Sequence, residues 1–150
     1  MQKITPFLWF NDNLEEAMNF YASVFKNVKI KSVSRQGGKV FTASFEIEGQ
    51  AFMGLNGGPM YQFTHAVSFY VNCRDQEEVD YLWENLSAGG ELSRCGWLKD
   101  KFGLSWQIIP TALGELMGDP DPVKAGRVMQ AMLKMVKIDI KGLRDAYEQE

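Results

Sequence analysis

An internal repeat constrains the fold of this chain more than any other feature of its sequence. The segment from Phe7 to Ala17 aligns with the segment from Phe69 to Val79 at an offset of 62 residues. In each copy an apolar run leads to polar residues, and a Glu-Glu pair follows them. A segment that recurs at a fixed offset indicates a repeated structural unit. The sequence therefore predicts two related modules.

Both copies carry a helix start of the capping-box type. Asn13 with Glu16, and Asp75 with Glu78, have the spacing at which two side chains satisfy backbone N–H groups of the first turn. Apolar residues then recur at helical spacing, namely Leu14, Ala17, Met18, Tyr21 and Phe25 in the first copy and Val79, Leu82, Trp83 and Leu86 in the second. The second helix is predicted to end at the glycine pair 89–90.

Strand-like segments follow each helix, which makes the plan of each module βαβββ. The first copy has segments over residues 29–35, 40–48 and 50–56, with turns at residues 37–38 and 48–49. The second copy is shorter, with a piece near residue 92 and segments over residues 95–99 and 104–110, separated by a turn at residues 100–103. The predicted fold class is therefore α+β.

The chain is predicted to form one domain over residues 1–150, with modules at 1–60 and 61–112. Residues 113–150 are predicted to form a C-terminal helical extension. In it, Asp121 caps a helix that begins at Pro122, where a missing N–H costs nothing. The Met-rich face of this extension either packs on its own domain, as such faces usually do, or binds a partner.

Charge and hydropathy exclude several classes of partner. The 16 Lys and Arg against 19 Asp and Glu give a formal net charge of -3, whereas binding to nucleic-acid phosphates needs a concentrated basic surface. No apolar stretch approaches the roughly 20 residues of a membrane span, and the N-terminal segment lacks a signal-peptide core. We expect a cytoplasmic protein without nucleic-acid or membrane partners, in which Cys73 and Cys95 are free thiols.

The residue inventory also limits the chemistry. Serine nucleophiles need an oriented base, but His65 is the one histidine and no serine lies in a Gly-x-Ser-x-Gly elbow. The glycine pairs at 37–38, 57–58 and 89–90 lack the further residues of a phosphate-binding loop. Because no glycine-rich phosphate-binding motif is found, the sequence also argues against a Rossmann-type methyltransferase or dehydrogenase.

Aromatic residues in the predicted strands indicate a different kind of site. Alternation places some of them on the sheet face opposite the helices, where an apolar pocket with a few polar groups would suit a small hydrophobic or planar ligand. Alternatively, they fill the space between the modules. The candidate pocket residues are Phe7, Trp9, Met53, His65, Phe69, Trp97, Lys99 and Gln107. Cys95, near Lys99, is either a reactive thiol or an inert buried one.

A tight metal site is not predicted. The first and last strands of the modules could present ligands side by side, and these positions offer His65 and Gln107, with Lys3 or Thr5 and Met53 as counterparts. Lys and Met are not ligands for a hard cation. We therefore expect no cofactor, and His65 and Gln107 stay as weak candidates for binding a divalent metal.

Five motifs resemble the PhnB-like branch of the vicinal oxygen chelate superfamily, which includes glyoxalases, bleomycin-resistance proteins and dioxygenases. They span residues 4–10, 52–59, 75–80, 95–107 and 118–122. The branch is often named 3-demethylubiquinone-9 3-methyltransferase domain. The resemblance implies curved mixed sheets around a shared cleft and, commonly, a homodimer. It also implies metal ligands on the first and last strands of catalytic members, with Gln107 where a Glu would stand and His65 close to the first-strand position.

Three hypotheses for function follow. The first is a protein that binds a small, partly aromatic ligand in its cleft without a tight metal. The second is a divalent-metal-dependent lyase, isomerase or dioxygenase, with His65 and Gln107 as partial ligands. The third is a structural or regulatory dimer that uses the Met-rich tail. The sequence leaves open whether the chain is an enzyme.

Overall fold

The structure, a computed structural model, describes residues 2–149. By their internal contacts these residues divide into two compact units, the first ending at Phe63 and the second beginning at Thr64. Each unit is built on a four-stranded mixed sheet. None of the described helices is both long enough and apolar enough to cross a membrane.

The first unit is the first predicted βαβββ module. Its elements are β1 (Phe7–Phe10), α1 (Leu14–Val24), β2 (Val28–Gln36), β3 (Lys39–Ile47) and β4 (Gln50–Asn56). The sheet order is β1-β4-β3-β2, with β1 parallel to β4 and the other pairs antiparallel. Apolar residues of α1 are buried on one face of the sheet, as the helical spacing predicts.

The start of α1 differs from the prediction, because Asn13 makes no side-chain capping bond. Asn56, at the end of β4, supplies the cap instead. Its Oδ1 accepts from the Leu14 N–H at 2.9 Å, and its Nδ2 donates to the Val40 carbonyl at 2.9 Å. Since β4 runs parallel to β1, its last residue lies next to the chain that enters the helix, and one amide joins three segments.

The second unit contains the second βαβββ module and the C-terminal helices. Its elements are β5 (Ser68–Cys73), α2 (Gln76–Leu86), β6 (Glu91–Leu92), β7 (Trp97–Lys99), β8 (Ser105–Pro110), α3 (Thr111–Met117), α4 (Pro122–Leu133) and α5 (Ile140–Tyr147). The sheet order is β5-β8-β7-β6, with β5 parallel to β8. The paired βαβββ plan and the helical extension are therefore confirmed.

Two predicted helix caps of this unit are confirmed. The Asp75 carboxylate accepts from the Glu78 N–H at 2.9 Å, although Glu78 Oε1 returns its bond to the N–H of Arg74 rather than of Asp75. The Asp121 carboxylate accepts from the Val123 N–H at 2.9 Å at the start of α4. Side-chain oxygens of this kind satisfy first-turn N–H groups that have no partner within the helix.

The C-terminal helices bury a core of their own against the end of β8. Its fully or nearly fully buried members are Ile109, Leu113, Val128, Ile138 and Leu143. The segment between α4 and α5 is tied to the module by backbone bonds from Cys95 N–H to the Met135 carbonyl (2.9 Å) and from Gly96 N–H to the Val136 carbonyl (2.8 Å). The extension thus packs on its own unit, which is the first of its two predicted roles.

The Gln76 side chain of α2 also binds the segment between α4 and α5. Its Nε2 donates to the Ile138 carbonyl at 3.0 Å, and its Oε1 accepts from the Ile140 N–H at 2.8 Å. An amide that pairs with both groups of a backbone segment satisfies a donor and an acceptor where the chain leaves α4 for α5. The segment over residues 135–140, called here the strap, is therefore bonded to both α2 and the turn before β7.

Candidate functional site

One face of the second sheet carries most of the predicted site residues. The register places Ser68, Ser105 and Lys99 in one row across β5, β8 and β7, and Tyr70, Gln107 and Trp97 in the next. Successive side chains of a strand point to opposite faces. The intervening residues Leu98, Trp106 and Ile108 are buried on the α2 side, so the two rows form the other face, which we call the open face.

Hydrogen bonds orient the two polar candidates of the open face. His65 Nδ1 lies 3.0 Å from Ser105 Oγ, and Gln107 Nε2 donates to Ser68 Oγ at 3.0 Å. His65 was predicted on the first strand of the second module, but it lies in the turn before β5. Its ring meets Trp97 edge to face, with ring centroids 6.4 Å apart.

Lys99 is the cation of the open face. Its Nζ lies 4.0 Å from Glu91 Oε2, whose side chain is 77% exposed. An ion pair of this length at an exposed carboxylate contributes little free energy. The Lys99 ammonium group is therefore only weakly held, and it can approach an anionic or hydrogen-bond-accepting group of a ligand.

Phe69 does not share this face. Because Ser68 and Tyr70 point to the open face, Phe69 between them points to the α2 side. There its ring packs edge to face on buried Trp106, with centroids 5.2 Å apart. Phe69 is therefore part of the packing under the site, which differs from its predicted place in the pocket.

The remaining candidates lie in the first unit, on the face of its sheet opposite α1. Phe7 and Met53 are register partners on β1 and β4, and both side chains are exposed. Trp9 is held in place, since its Nε1 donates to the Gly58 carbonyl at 2.9 Å and its ring packs on Tyr61. A Cβ on residue 57 would lie 2.4 Å from the indole, so the glycine there is required by Trp9.

Within each sheet, the structure therefore groups the candidates. His65, Trp97, Lys99 and Gln107 share the open face of the second sheet, whereas Phe7, Trp9 and Met53 share a face of the first. Ser105, which orients His65, and Ser68, which orients Gln107, were not among the residues predicted from the sequence. Serine is common in strands and loops, and only the strand register shows that these two lie beside the other polar residues.

The described residues do not fit a tight divalent-metal site. Among residues 2–149, no group of three or more His, Cys, Asp or Glu side chains is placed to hold a metal ion. His65 and the Gln107 amide already bond to serines, and a cation, Lys99, lies in the same row as Ser105. Catalytic zinc sites usually have three protein ligands, and one imidazole and one amide beside a cation fall short of that.

The two cysteines are free thiols, as predicted, in unlike surroundings. Cys73, at the end of β5, is fully buried. Burial, with a smaller effect from the nearby Glu78 carboxylate, raises its pKa to about 12. Cys95 is half-buried in the turn before β7, with a positive φ of 60°.

We expect the two thiols to differ strongly in reactivity. Because the thiolate is the nucleophile, the raised pKa of Cys73 lowers its thiolate fraction at pH 8 by roughly a thousandfold against an unperturbed thiol. Iodoacetamide in native buffer should alkylate Cys95 and leave Cys73 unmodified, as read from peptide masses. In urea both should react, and the Cys95→Ser variant should be inert when folded. Fast alkylation of Cys73 in the folded protein would contradict this assignment.

The two βαβββ modules and their mixed sheets define a protein with the glyoxalase/bleomycin-resistance/dioxygenase fold. The family model of 3-demethylubiquinone-9 3-methyltransferase matches residues 2–109, and the chain belongs to this family. The resemblance to the PhnB-like branch is thereby confirmed. The matched segment ends inside β8, so α3, α4 and α5 lie outside it.

One solved structure supports the family assignment, and two more distant ones share the fold. A PhnB protein from Bacillus cereus is 38% identical, with a TM-score of 0.68, over 73% of this chain and 99% of that one. The fosfomycin resistance protein FosX from Listeria monocytogenes, solved with Mn(II) and sulfate, shares the fold at 18% identity and a TM-score of 0.54, over 71% of this chain and 89% of that one.

A glyoxylase/bleomycin resistance protein/dioxygenase domain from Frankia shares the fold at 15% identity and a TM-score of 0.52, over 73% of this chain and 92% of that one. Comparison with curated protein sequences finds no match.

Proposed function

We propose that the open face of the second sheet binds a small ligand that has a planar, partly aromatic portion, without a tightly bound metal. The observation that carries the proposal is the placement of half-buried Trp97 beside an oriented His65, Gln107 and a weakly paired Lys99. Apolar surface with a few convergent polar groups is the usual composition of a small-molecule site.

Each side chain has a separate part in this proposal. The Trp97 ring offers apolar area for a planar group. Lys99 offers three N–H donors and a positive charge for a carboxylate or another acceptor, while the Gln107 amide can both donate and accept. The serine bonds hold His65 and Gln107 in fixed orientations before a ligand arrives, which lowers the entropy lost on binding.

The methyl transfer in the family name is not part of the proposal. Nucleotide-type cofactors in Rossmann folds are held at a glycine-rich turn between a strand and a helix. At the corresponding turns of this chain, the residues are Asn11-Asp12-Asn13 after β1 and Arg74-Asp75 after β5. These residues serve as helix-entry turns, and the sequence between strand and helix offers no run of glycines for a pyrophosphate or a nucleoside.

We also propose a cytoplasmic protein that associates with itself rather than with nucleic acid or membrane. The net charge of -3 supports the absence of a phosphate-backbone partner. The unbridged state of both cysteines is typical of a reducing compartment. Self-association as a homodimer, which the sequence resemblance implies, is part of this proposal.

Native mass spectrometry of protein taken directly from cells tests the ligand proposal. We expect a retained small-molecule mass on the wild type and on Tyr81→Ala, which removes an exposed aromatic ring from α2. Trp97→Ala should retain at least tenfold less, because an aromatic contact and its buried area contribute about 1.5–3 kcal/mol.

Metal analysis of the same samples provides the decisive contrast. Stoichiometric Mn, Fe, Ni or Zn in protein purified without chelator, lost in His65→Ala, would overturn the proposal in favour of a metal-dependent lyase, isomerase or dioxygenase. Equal ligand retention by Trp97→Ala and the wild type would remove the open face as the site.

A further inference from the structure

Positive charge is concentrated at one edge of the first sheet. Five of the 16 Lys and Arg residues lie within residues 26–39, and no Asp or Glu lies within residues 17–45. All 19 acidic residues therefore belong to the rest of the chain. We call residues 26–39, which contain β2, the basic edge, and its cations are Lys26, Lys29, Lys31, Arg35 and Lys39. A local field of this sign attracts an anionic partner, although the whole chain has a net charge of -3.

The cations of the basic edge are exposed and weakly paired. Lys31 Nζ lies 3.9 Å from Glu46 Oε1, and Arg35 Nη2 lies 2.8 Å from Glu15 Oε2. Ion pairs at exposed positions contribute little free energy, so these two cations can exchange partners. The other three have no ion pair within residues 2–149, namely Lys26, Lys29 and Lys39.

The backbone of β2 is free along its outer side. The sheet order β1-β4-β3-β2 places this strand at an edge, and among the described residues its backbone groups bond only to β3. Eight of its nine residues are exposed. The outward N–H and C=O groups of an edge strand can pair with a further strand. The basic edge therefore offers hydrogen-bonding groups as well as charge.

The two faces of β2 differ in polarity. Ile30 and Val33 have register partners on β3 that are buried on the α1 side, so they lie on that side too. They are 46% and 40% exposed. Lys29 is the register partner of Glu46, and Lys31 Nζ lies near the same carboxylate, so both cations belong to the opposite face. A strand beside β2 would meet apolar side chains on one face and cations on the other.

We propose that the basic edge docks an extended acidic segment of another protein, which adds to β2 as a further strand of the first sheet. Acidic side chains of this segment face Lys29 and Lys31, and the alternate apolar side chains cover Ile30 and Val33. Strand addition gains affinity from backbone hydrogen bonds and specificity from alternate side chains. The proposal concerns the first unit and does not depend on the ligand proposed for the open face.

Charge and strand shape select this occupant over two others. Lysines and bulges on an edge strand oppose uncontrolled pairing, and β2 has both, with register shifts at residues 30–32 and 34–35. Like charges facing each other are destabilising, so the same edge of a second copy is repelled, whereas an acidic strand is attracted. A nucleic acid would engage the cations but would leave the apolar side chains of β2 uncovered.

A synthetic peptide tests strand addition. The probe is a fluorescein-labelled peptide of about ten residues in which glutamate alternates with valine, and fluorescence anisotropy measures its affinity. We expect binding to the wild type, and binding at least tenfold weaker for a peptide in which lysine replaces glutamate. Two further versions carry N-methyl groups on alternate amides, one version for each edge of the peptide. One of the two should bind at least fivefold weaker, since its docking edge loses its donors. Equal affinity of both methylated versions and the probe would overturn strand addition.

Charge reversal tests the position of the site. Lys29→Glu combined with Lys31→Glu should weaken binding of the probe at least tenfold. Lys134→Glu combined with Lys141→Glu makes the same change in net charge in the second unit and should bind like the wild type. Circular dichroism checks that both variants are folded, and the methylated peptides test the wild type independently of them. Equal loss of affinity in both variants would overturn the assignment to β2.

Amide hydrogen exchange shows which edge the peptide occupies. The probe should slow exchange in residues 28–36 and leave β1, the other edge strand of the first sheet, unchanged. A single-stranded oligothymidylate of similar length provides the comparison with nucleic acid. No binding of the probe, slower exchange in β1 instead of β2, or tighter binding of the oligothymidylate than of the probe would each overturn the proposal.

Discussion

Replacing Asp100 with alanine should lower the free energy of unfolding by about 3–5 kcal/mol. The carboxylate is 2% exposed and closes the turn between β7 and β8. Its Oδ1 accepts from the N–H groups of Phe102 (2.9 Å) and Leu104 (3.1 Å), and its Oδ2 accepts from Trp106 Nε1 at 2.9 Å. Alanine would leave these donors without an acceptor in the interior, where each unsatisfied group costs about 1–3 kcal/mol.

Asp100→Asn separates the contributions of the two carboxylate oxygens. An amide keeps one acceptor oxygen, so it can serve the two backbone N–H groups or the indole, but not both sets. We expect about half the loss seen with alanine. Urea unfolding followed by circular dichroism measures both variants. Asp145→Ala, which removes a largely exposed carboxylate paired with Lys141, is the matched control and should cost less than about 1 kcal/mol. A loss below about 1 kcal/mol for Asp100→Ala would show that the turn does not depend on its carboxylate.

The parts of the fold that sequence predicted well are those specified by neighbouring residues. Asp75 and Asp121 cap helices that begin within three residues of them, and both bonds are present. Strand and helix periods likewise depend on local spacing, so both βαβββ modules were recognised from the repeat. A local pattern survives because no residue far along the chain competes for the same backbone groups.

The errors occur where distant segments meet. Asn13 had the right residue type for a cap, but Asn56, 42 residues from the N–H group it binds, took that role. Helix α3 was not predicted as a separate element, since Pro110 before it makes no side-chain cap and Gly114 lies inside it. Its buried Ala112 and Leu113 face the rest of the unit, so tertiary packing overrides weak local signals there.

The candidate site shows the same division. Residue type and alternation selected His65, Trp97, Lys99 and Gln107, which the structure places on one face of one sheet. Alternation alone could not assign Phe69, because a shift of one position moves a side chain to the opposite face. The serines that orient the polar groups could be recognised only from the pairing of β5 with β8. Whether these residues bind a ligand stays a prediction.

Replacing Ile138 with alanine should lower the free energy of unfolding by about 3 kcal/mol, within the range of about 2–5 kcal/mol for such truncations. Ile138 is fully buried in the core that the extension shares with Ile109. It also lies close to Gly96, since a Cβ built on that glycine would be 3.0 Å from Ile138 Cγ1. The truncation therefore leaves a cavity under the strap, at the turn that leads into Trp97.

Amide hydrogen exchange should locate the effect of Ile138→Ala. The N–H groups of Cys95, Gly96 and Ile140, which bond to the strap or lie at its end, should exchange faster than in the wild type. Val136→Ala truncates a half-exposed side chain of the same strap and is the control, with an expected loss below about 0.5 kcal/mol. Equal exchange at these three amides in both variants would show that the strap does not hold the turn.

The same variant tests whether the extension orients the candidate site. The four tryptophans can be labelled with 5-fluorotryptophan, and the Trp97 signal can be assigned with Trp97→Phe. If the bonds from Cys95 and Gly96 to the strap fix the turn, then Ile138→Ala should shift or broaden the fluorine signal of Trp97. Trp9, which belongs to the first unit and is held by Gly58 and Tyr61, should keep its signal. An unchanged Trp97 signal in a destabilised variant would separate the stability of the extension from the geometry of the open face.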